Sequence, residues 1–437
     1  MKILTHWLAG LIATVSMLAL SARAQNHVVV ISPHNEAIRI EFARAYADWY
    51  RAQFNEKSEV EWRDAGGSTD ALRFVLSEFA NKPGGIGIDC FFGGGIEPCL
   101  MLADRGLCDA YAPAAAILDG IPQNWKGVEL YDLGHRWYGA ALSSFGILQN
   151  KRVQKLMGLP TIVRWDQLAD PALLGWVGVG DPRNSGSMST MFETLLQAYG
   201  WENGWQLLAR LGGNARKFDR FSSTTAKDVT LGETACAPAI DFYAFTQIAS
   251  AGRAELVFAL PEDVAGIVPD GLALLKGAPH AVEARRFVDF VLSETGQKLW
   301  YLPKGTPGGA RQFSIERMPV RPDLYKRYHD VSNIEYSPFD LRQTFKFDGN
   351  LARARGDLVS AMAGALLVDV HPELAAAWKA VIRRGCQSNE VARLGQAPLT
   401  GREALNMAQG PWKESAFRNR KKIEWQRWAL EKYNGLK

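Results

Sequence analysis

The chain has 437 residues, of which 47% are hydrophobic and 22% are charged, and its formal net charge is +4 at pH 7. This composition lies within the range of ordinary globular proteins, and the length predicts two or three packing units. The small excess of positive charge gives no support to a nucleic-acid partner.

The first residues have the pattern of a secretory signal peptide. Lys2 provides a positive charge, and an uncharged, largely apolar run over residues 7–20 follows it. This run is shorter than the roughly 20 residues that a transmembrane helix needs. Small residues up to Ala24 fit a cleavage site, so we expect a signal peptide over residues 1–24 and export to the periplasm.

The cysteines and histidines give no indication of a metal site or cofactor. Cys90, Cys99, Cys108, Cys236 and Cys386 include no C-x-x-C pair, and the seven histidines lack metal-ligand spacing. An oxidising compartment permits disulfides, and Cys99 and Cys108 are the candidate pair. The odd number of cysteines leaves at least one free thiol.

Three repeats of strand, loop and helix follow the predicted signal peptide. Apolar strands are predicted at residues 28–31, 60–63 and 88–92, each followed by a loop of small residues and a helical pattern. This alternation predicts an α/β domain with a parallel sheet. Ligands of such sheets bind beyond the carboxyl ends of the strands, where the loops gather.

A second α/β unit follows in the middle of the chain. Its strands are predicted at residues 176–179 and 239–243. Strands at 256–260 and 271–275 then return the chain to the first unit. From about Ser314 the strand pattern is lost, and helical runs lead to a basic tail that contains tryptophan.

Nine segments of the chain carry a family resemblance through their order. They are ISPHNEAIRIEF from Ile31, WRDAGGSTDALRF from Trp62, CFFGGGIEPCL from Cys90, WYGAALSSFGILQN from Trp137, GDPRNSGSMSTMFETLLQAYGWENGW from Gly180, KDVTLGE from Lys227, IDFYA from Ile240, PDGLALLKGAPH from Pro269 and GQKLW from Gly296. Together the segments resemble the type II periplasmic binding proteins, in the subgroup that includes ferric-iron, phosphoglycerate-regulatory and hexose-phosphate binders.

The resemblance implies two α/β lobes that close by a hinge on a ligand held between them. Lobe one is expected over residues 25–140 and 265–313, lobe two over 141–264, and a mainly helical C-terminal extension over 314–437. The resemblance also implies delivery of the ligand to an ABC-type permease in the inner membrane. We expect a monomer without cofactor or catalytic activity. The resemblance gives no role to the extension.

Small polar residues in the strand-to-helix loops provide the predicted ligand contacts. Free backbone N–H groups and helix dipoles at such positions favour anions, and glycines permit close approach of the backbone. We therefore predict a small polar or anionic ligand, in particular a phosphorylated one. The predicted ligand-binding residues are Ser32, His34, Asn35, Gly67, Ser68, Thr69, Gly94, Tyr138, Ser143, Arg183, Ser185, Ser187, Ser223, Thr224, Asp241 and Tyr243.

Helix capping and ion pairing offer structural roles for the same residues. Asn35 or Ser32 can satisfy the donors of the following helix without contacting any ligand. Arg183 can bind a phosphate or carboxylate in bidentate fashion, or it can pair with Asp181.

Ferric iron and lipid are the alternative ligands. Iron binders of the subgroup resemble one another in two adjacent tyrosines, and here Phe242 replaces the first of them while Tyr243 keeps the second. Fe³⁺ prefers anionic oxygen ligands, so the set of tyrosine ligands is incomplete here. His34 and Asp241 are further potential ligands, so iron stays an alternative. The 14 tryptophans and 20 phenylalanines keep an apolar ligand open as well.

Two other classes of function are weighed against solute capture. The sequence lacks G-x-S-x-G, H-E-x-x-H and a Walker loop, so an enzyme is not expected. A partner of a membrane sensor would use the same cleft as a partner of a permease, so both partners stay open.

Overall fold

The computed structural model describes residues 26–334, 336–341 and 345–437. The predicted signal peptide lies outside these residues. Within them, the predicted mixture of parallel strands and helices is confirmed.

The first part of the chain alternates strands and helices. Its elements are β1 (Asn26–Ile31), α1 (Glu36–Phe54), β2 (Ser58–Arg63), α2 (Ser68–Asn81), β3 (Cys90–Phe92), α3 (Glu97–Asp104), α4 (Ala115–Leu118), β4 (Asn124–Trp125) and β5 (Val128–Glu129). The acidic Glu36 in the first turn of α1 and the basic Arg51 in its last turn complement the helix dipole.

A long strand, β6 (Tyr138–Asn150), leads from this part into the second one, and all of its residues are buried. The elements that follow are α5 (Lys151–Met157), β7 (Val177–Gly180), α6 (Gly186–Ala198), α7 (Trp201–Asn214), β8 (Ala215–Asp219), α8 (Ser222–Leu231), β9 (Cys236–Ile240), α9 (Asp241–Ala251), β10 (Leu256–Ala259) and β11 (Gly266–Leu274).

Helices make up most of the remaining chain. They are α10 (Ala281–Leu292), α11 (Glu294–Tyr301), α12 (Pro322–Arg327), α13 (Gly349–Ala363), α14 (His371–Arg383), α15 (Ser388–Gly395), α16 (Gly401–Gln409) and α17 (Ser415–Asn434). A π-helical turn, Gly364–Val368, continues α13.

Nine of the strands form one continuous sheet in the order β2–β1–β3–β11–β6–β9–β7–β8, with β10 paired to β6, and β4 and β5 form a separate two-stranded sheet. β1 runs parallel to β2 and β3, and β7 runs parallel to β8 and β9. β6 and β11 are antiparallel to each other and to their outer neighbours β9 and β3. This central antiparallel pair therefore connects two parallel halves, which are the two lobes.

Each lobe has an aromatic core. In lobe one, Phe42 of α1 packs on Trp300 of α11 with ring centroids 4.4 Å apart, and both side chains are fully buried. In lobe two, Trp205 of α7 and Trp165 lie in a second buried cluster.

The predicted extension is divided between these two cores. Ile315, Met318 and Leu324 are buried in lobe one. Leu358 of α13 and Trp378 of α14 are buried in lobe two. The chain beyond residue 313 therefore completes both lobes, because its apolar side chains fill their cores, and it does not form a separate unit.

The structure corrects two local expectations. Cys99 and Cys108 are free thiols, so the candidate disulfide is not formed. The strand predicted up to residue 243 ends at Ile240, because Asp241 begins α9 and its carboxylate accepts the N–H of Phe242.

No single helix in the described part of the chain is long and apolar enough to cross a membrane. The stretch Gly349–Val368 and α14 are long and apolar enough only when they are taken together, and the chain bends by 66° between them.

Candidate ligand-binding cleft

The loops that end the parallel strands of both lobes converge on the central pair β6 and β11. On lobe one the loop after β1 contributes Ser32, His34 and Asn35. The Asn35 side chain accepts the N–H of Ile38 at 3.0 Å, and the Ser32 hydroxyl accepts the N–H of His34 at 3.2 Å. Asn35 and Ser32 thus stabilise the loop and the start of α1, whereas the His34 ring contacts β11.

His34 belongs to a buried charged cluster between the lobes. Its Nε2 lies 2.8 Å from Oδ2 of Asp270 on β11, and the other carboxylate oxygen accepts the N–H of Gly95 at 2.6 Å. Arg317 donates from Nη1 to Asp270 and from Nη2 to Ser143 of β6, both at 2.7 Å. We call His34, Ser143, Asp270 and Arg317 the charged cluster.

The charged cluster contains an ion pair between Arg317 and Asp270. Burial acts to raise the pKa of Asp270, but the Arg317 guanidinium and the His34 hydrogen bond outweigh it and hold the pKa well below its usual range. Burial lowers the pKa of His34 despite its contact with Asp270. The cluster therefore holds a carboxylate and a guanidinium beside a neutral imidazole.

Gly93 and Gly94 permit the close packing of lobe one around His34. Both have positive φ angles, of 97° and 87°. A Cβ atom on Gly93 would lie only 2.5 Å from the His34 ring, and one on Gly94 would lie 3.0 Å from Ser68 Oγ. A side chain at Gly93 would therefore displace His34 from β11.

Lobe two presents three serine hydroxyls at the start of two helices. Ser185 Oγ lies 2.5 Å from Ser222 Oγ and 3.1 Å from Ser187 Oγ, and Ser187 donates to Ser222 at 3.1 Å. Ser185 caps α6, and Ser222 is the first residue of α8. We call Ser185, Ser187 and Ser222 the hydroxyl cluster. Two helix N-termini and three hydroxyls at one place favour an anion.

The charged cluster and the hydroxyl cluster lie along the same face of β6. Ser187, Ser222 and Phe145 line a narrow gap between these elements, and this gap has no room for a water molecule in the closed arrangement of the structure. Ser143 of the charged cluster and Phe145 are two residues apart on this strand, so their side chains share one face at a spacing of about 7 Å. Ser143 of the charged cluster and the gap beside the hydroxyl cluster are therefore neighbours on β6.

Other predicted residues have structural partners. The Tyr138 hydroxyl donates to the Tyr111 carbonyl at 2.6 Å, inside lobe one. Arg183 pairs with Asp181 at 2.8 Å and with Asp369 at 3.0 Å, as the structural alternative predicted. These contacts use the polar atoms that we expected to bind a ligand.

Asp241 lies on the opposite side of β6 from the charged cluster. Its carboxylate accepts the N–H of Ser144 at 2.7 Å and the Ser144 hydroxyl at 3.2 Å, and that hydroxyl also contacts Tyr336. Burial raises the pKa of Asp241 to about 7, although Arg317 opposes the shift. Asp241 thus joins lobe two to the crossing strand.

The remaining predicted residues do not form a cluster with one another. Gly67 and Thr69 are exposed at the start of α2, Ser223 is exposed on α8, and Thr224 and Tyr243 are half-buried. In the described part of the chain, no group of three or more His, Cys, Asp or Glu residues is placed to hold a metal ion.

Sequence reasoning missed three residues of these clusters. Ser222 precedes the predicted Ser223 and Thr224 and carries the hydroxyl that faces Ser185. Asp270 stands in the quoted segment PDGLALLKGAPH, but its polar contacts were not foreseen. Arg317 lies in the part assigned to the extension, where no local pattern marks it.

Comparisons with known proteins agree with this architecture. Residues 101–316 match the family model of bacterial extracellular solute-binding proteins. The periplasmic binding protein AfuA from Actinobacillus pleuropneumoniae, solved with fructose-6-phosphate, has a TM-score of 0.59 at 19% identity, over 81% of this chain and 98% of that one. Iron-bound HitA from Pseudomonas aeruginosa has a TM-score of 0.55 at 20% identity, over 72% and 90%.

The paired lobes and the crossing strands therefore define a periplasmic binding protein fold. The predicted resemblance to the type II periplasmic binding proteins is confirmed, and the matched segment is that of the bacterial extracellular solute-binding proteins.

Curated relatives match this chain over only part of their length. The phosphoglycerate transport regulatory protein PgtC of Salmonella typhimurium is 26% identical over 247 residues, which are 53% of this chain and 61% of that protein. An uncharacterized protein of Haemophilus influenzae is 27% identical over 250 residues, or 56% and 69%. The chain thus spans about 61% of the length of the first relatives that it matches.

Proposed function

We propose that the protein is the periplasmic solute-binding component of an ABC-type importer, and that it captures a small anionic, phosphorylated solute between its lobes. The hydroxyl cluster carries this proposal. Its three hydroxyls and two helix N-termini provide hydrogen-bond donors and a positive dipole, which suits a phosphate group.

The names of two similar proteins support the same ligand class. One structural neighbour was solved with fructose-6-phosphate, and the name of the Salmonella relative refers to phosphoglycerate transport. Iron, which the HitA structure contains, is less well supported, because Phe242 stands at the position of one of the two adjacent tyrosines.

Capture proceeds by hinge closure about β6 and β11. Residues of both lobes contact the ligand only when the lobes meet, so the ligand shifts the population toward the closed form. The closed form then docks on a membrane permease. A membrane sensor is the second candidate partner, because the name of the Salmonella relative includes "regulatory".

Removal of two hydroxyls tests the site. We expect Ser185→Ala combined with Ser187→Ala to weaken binding of 3-phosphoglycerate or fructose 6-phosphate by roughly 10-fold or more, because charge-assisted hydrogen bonds are lost. Calorimetric titration of the exported chain measures this affinity.

Thr190→Ala is the matched control. Thr190 lies on the same helix, and its hydroxyl donates to the Gly186 carbonyl at 3.0 Å, so its removal should leave affinity unchanged. Unchanged affinity in the double serine variant, with an equal loss of stability in both variants, contradicts the assignment. Tight binding of ferric iron or lipid alone overturns the ligand class.

A further inference from the structure

Arg317 lies just outside the segment that matches the solute-binding family model, which ends at residue 316. Only 3% of its side chain is exposed. The guanidinium carbon lies 4.5 Å from the ring centre of Phe242 in lobe two and 5.1 Å from that of Trp300 in lobe one. The guanidinium therefore spans the junction between the lobes.

The charged cluster has unused hydrogen-bonding capacity. Nε of Arg317 and Nδ1 of His34 are buried, and neither has a hydrogen-bond partner among the described residues. Buried polar atoms nearly always have a partner, which is a protein group, an ordered water or a ligand. Two such atoms beside one ion pair indicate that a polar group from outside the chain completes the cluster.

The two clusters differ in the anion that each fits. Arginine presents a planar fork that matches a planar carboxylate, whereas helix N-termini with hydroxyls surround a tetrahedral phosphate. Phe145, which lines the gap beside Ser187 and Ser222, is two residues from Ser143 along β6, or about 7 Å, so a ligand of three or four carbon atoms matches this spacing.

We propose that Arg317 is the specificity-determining residue of the cleft and that it selects solutes carrying a carboxylate in addition to a phosphate. This inference rests on the proposed function. Opening of the hinge moves Phe242 away from the guanidinium face and exposes the cation. The ligand carboxylate then accepts hydrogen bonds from Nε and Nη2 of Arg317, and it replaces the Ser143 hydroxyl as the acceptor for Nη2.

Three related probes separate the two ends of the ligand. 3-Phosphoglycerate carries both groups, glycerol 3-phosphate carries only the phosphate, and glycerate carries only the carboxylate. We expect the wild-type protein to bind 3-phosphoglycerate roughly 10- to 100-fold more tightly than glycerol 3-phosphate, as charge-assisted hydrogen bonds allow. Calorimetric titration of the same preparation with each probe measures the ratio.

Arg317→Lys tests the residue with the positive charge retained opposite Asp270. We expect this variant to lose most of the preference for 3-phosphoglycerate, because lysine lacks the planar fork, so that its affinities for 3-phosphoglycerate and glycerol 3-phosphate become similar. Ser143→Ala is a second variant, which leaves both charges in place. It should change the preference by less than Arg317→Lys, and an unaltered melting temperature establishes its fold.

The outcomes separate this inference from the proposed function. If the wild-type protein binds none of the phosphorylated probes, the proposed function fails. If it binds both phosphorylated probes equally, or if Arg317→Lys weakens both to the same extent, the phosphate site stands and the role of Arg317 is wrong. Loss of the preference alone supports Arg317.

Discussion

At the scale of single residues, the predictable part of the site follows local sequence. Ser185 and Ser187 follow a strand and precede a helix, and this local pattern was sufficient to predict them. Arg317 could not be predicted in this way, because its partners Asp270 and Ser143 are 47 and 174 residues distant in sequence. Its role depends on how the chain folds back between the lobes.

Lys432 gives a residue-scale prediction about stability. This lysine of α17 is only 8% exposed, and its Nζ donates to the carbonyls of Leu394 and Gln396 at 2.9 and 2.8 Å. Burial lowers its pKa to about 7. The unfolded chain holds this proton up to about pH 10.4, so between these values the unfolded state binds more protons than the folded state.

The free energy of unfolding therefore gains a contribution from Lys432 as pH rises from 7 to 9, by roughly 1.4 kcal/mol for each pH unit. Lys432→Met should lack this gain. Urea denaturation of both proteins at pH 7 and pH 9 measures it, with Lys413→Met as the control because Lys413 is exposed. An equal difference between wild type and Lys432→Met at both pH values would show that folding does not lower the pKa of this amine.

At the scale of elements, periodicity predicted most helices and strands but not their partners. One of the helical runs predicted after about Ser314 is α13, which ends in a π-helical turn. Its attachment to lobe two through the buried Arg355–Glu193 pair, with Nη2 and Oε1 2.8 Å apart, required the tertiary structure. Side-chain periodicity shows that a helix has an apolar face, not which core that face completes.

The same helix reaches lobe one through a second arginine. Arg353 donates to Asp104 of α3 at 3.0 Å, although Arg353 is carried on a helix packed against lobe two. In the hinge opening that we propose, α13 would move away from α3, so this ion pair would form only in the closed form.

We expect Arg353→Asp to weaken ligand binding by roughly two- to fivefold at low salt, as an exposed ion pair allows, and the effect to fade at high salt. Combination with Asp104→Arg should restore affinity by exchanging the charges. Calorimetric titration with 3-phosphoglycerate at two salt concentrations checks both expectations. Arg73→Asp, which breaks an ion pair within α2 of lobe one, serves as the control. A loss that the exchanged pair does not repair would assign Arg353 a role other than joining the lobes.

At the scale of the whole molecule, the resemblance predicted two α/β lobes, while the continuous sheet emerged only from the structure. Strands at the lobe junction pair over long sequence distances, as Ile267 of β11 does with Ser144 of β6. Local patterns do not specify such registers. For the same reason, the division of the chain beyond residue 313 between both cores could not be read from its helical pattern.

Closure of the two lobes around an anionic solute is the central step of the proposed function. Small-angle X-ray scattering of the exported chain, alone and with saturating 3-phosphoglycerate, measures this change directly. We predict a smaller radius of gyration with the ligand, and no change for the variant with Ser185→Ala and Ser187→Ala at the same concentration. An unchanged radius in the wild-type protein, with calorimetry showing the ligand bound, would contradict capture by hinge closure.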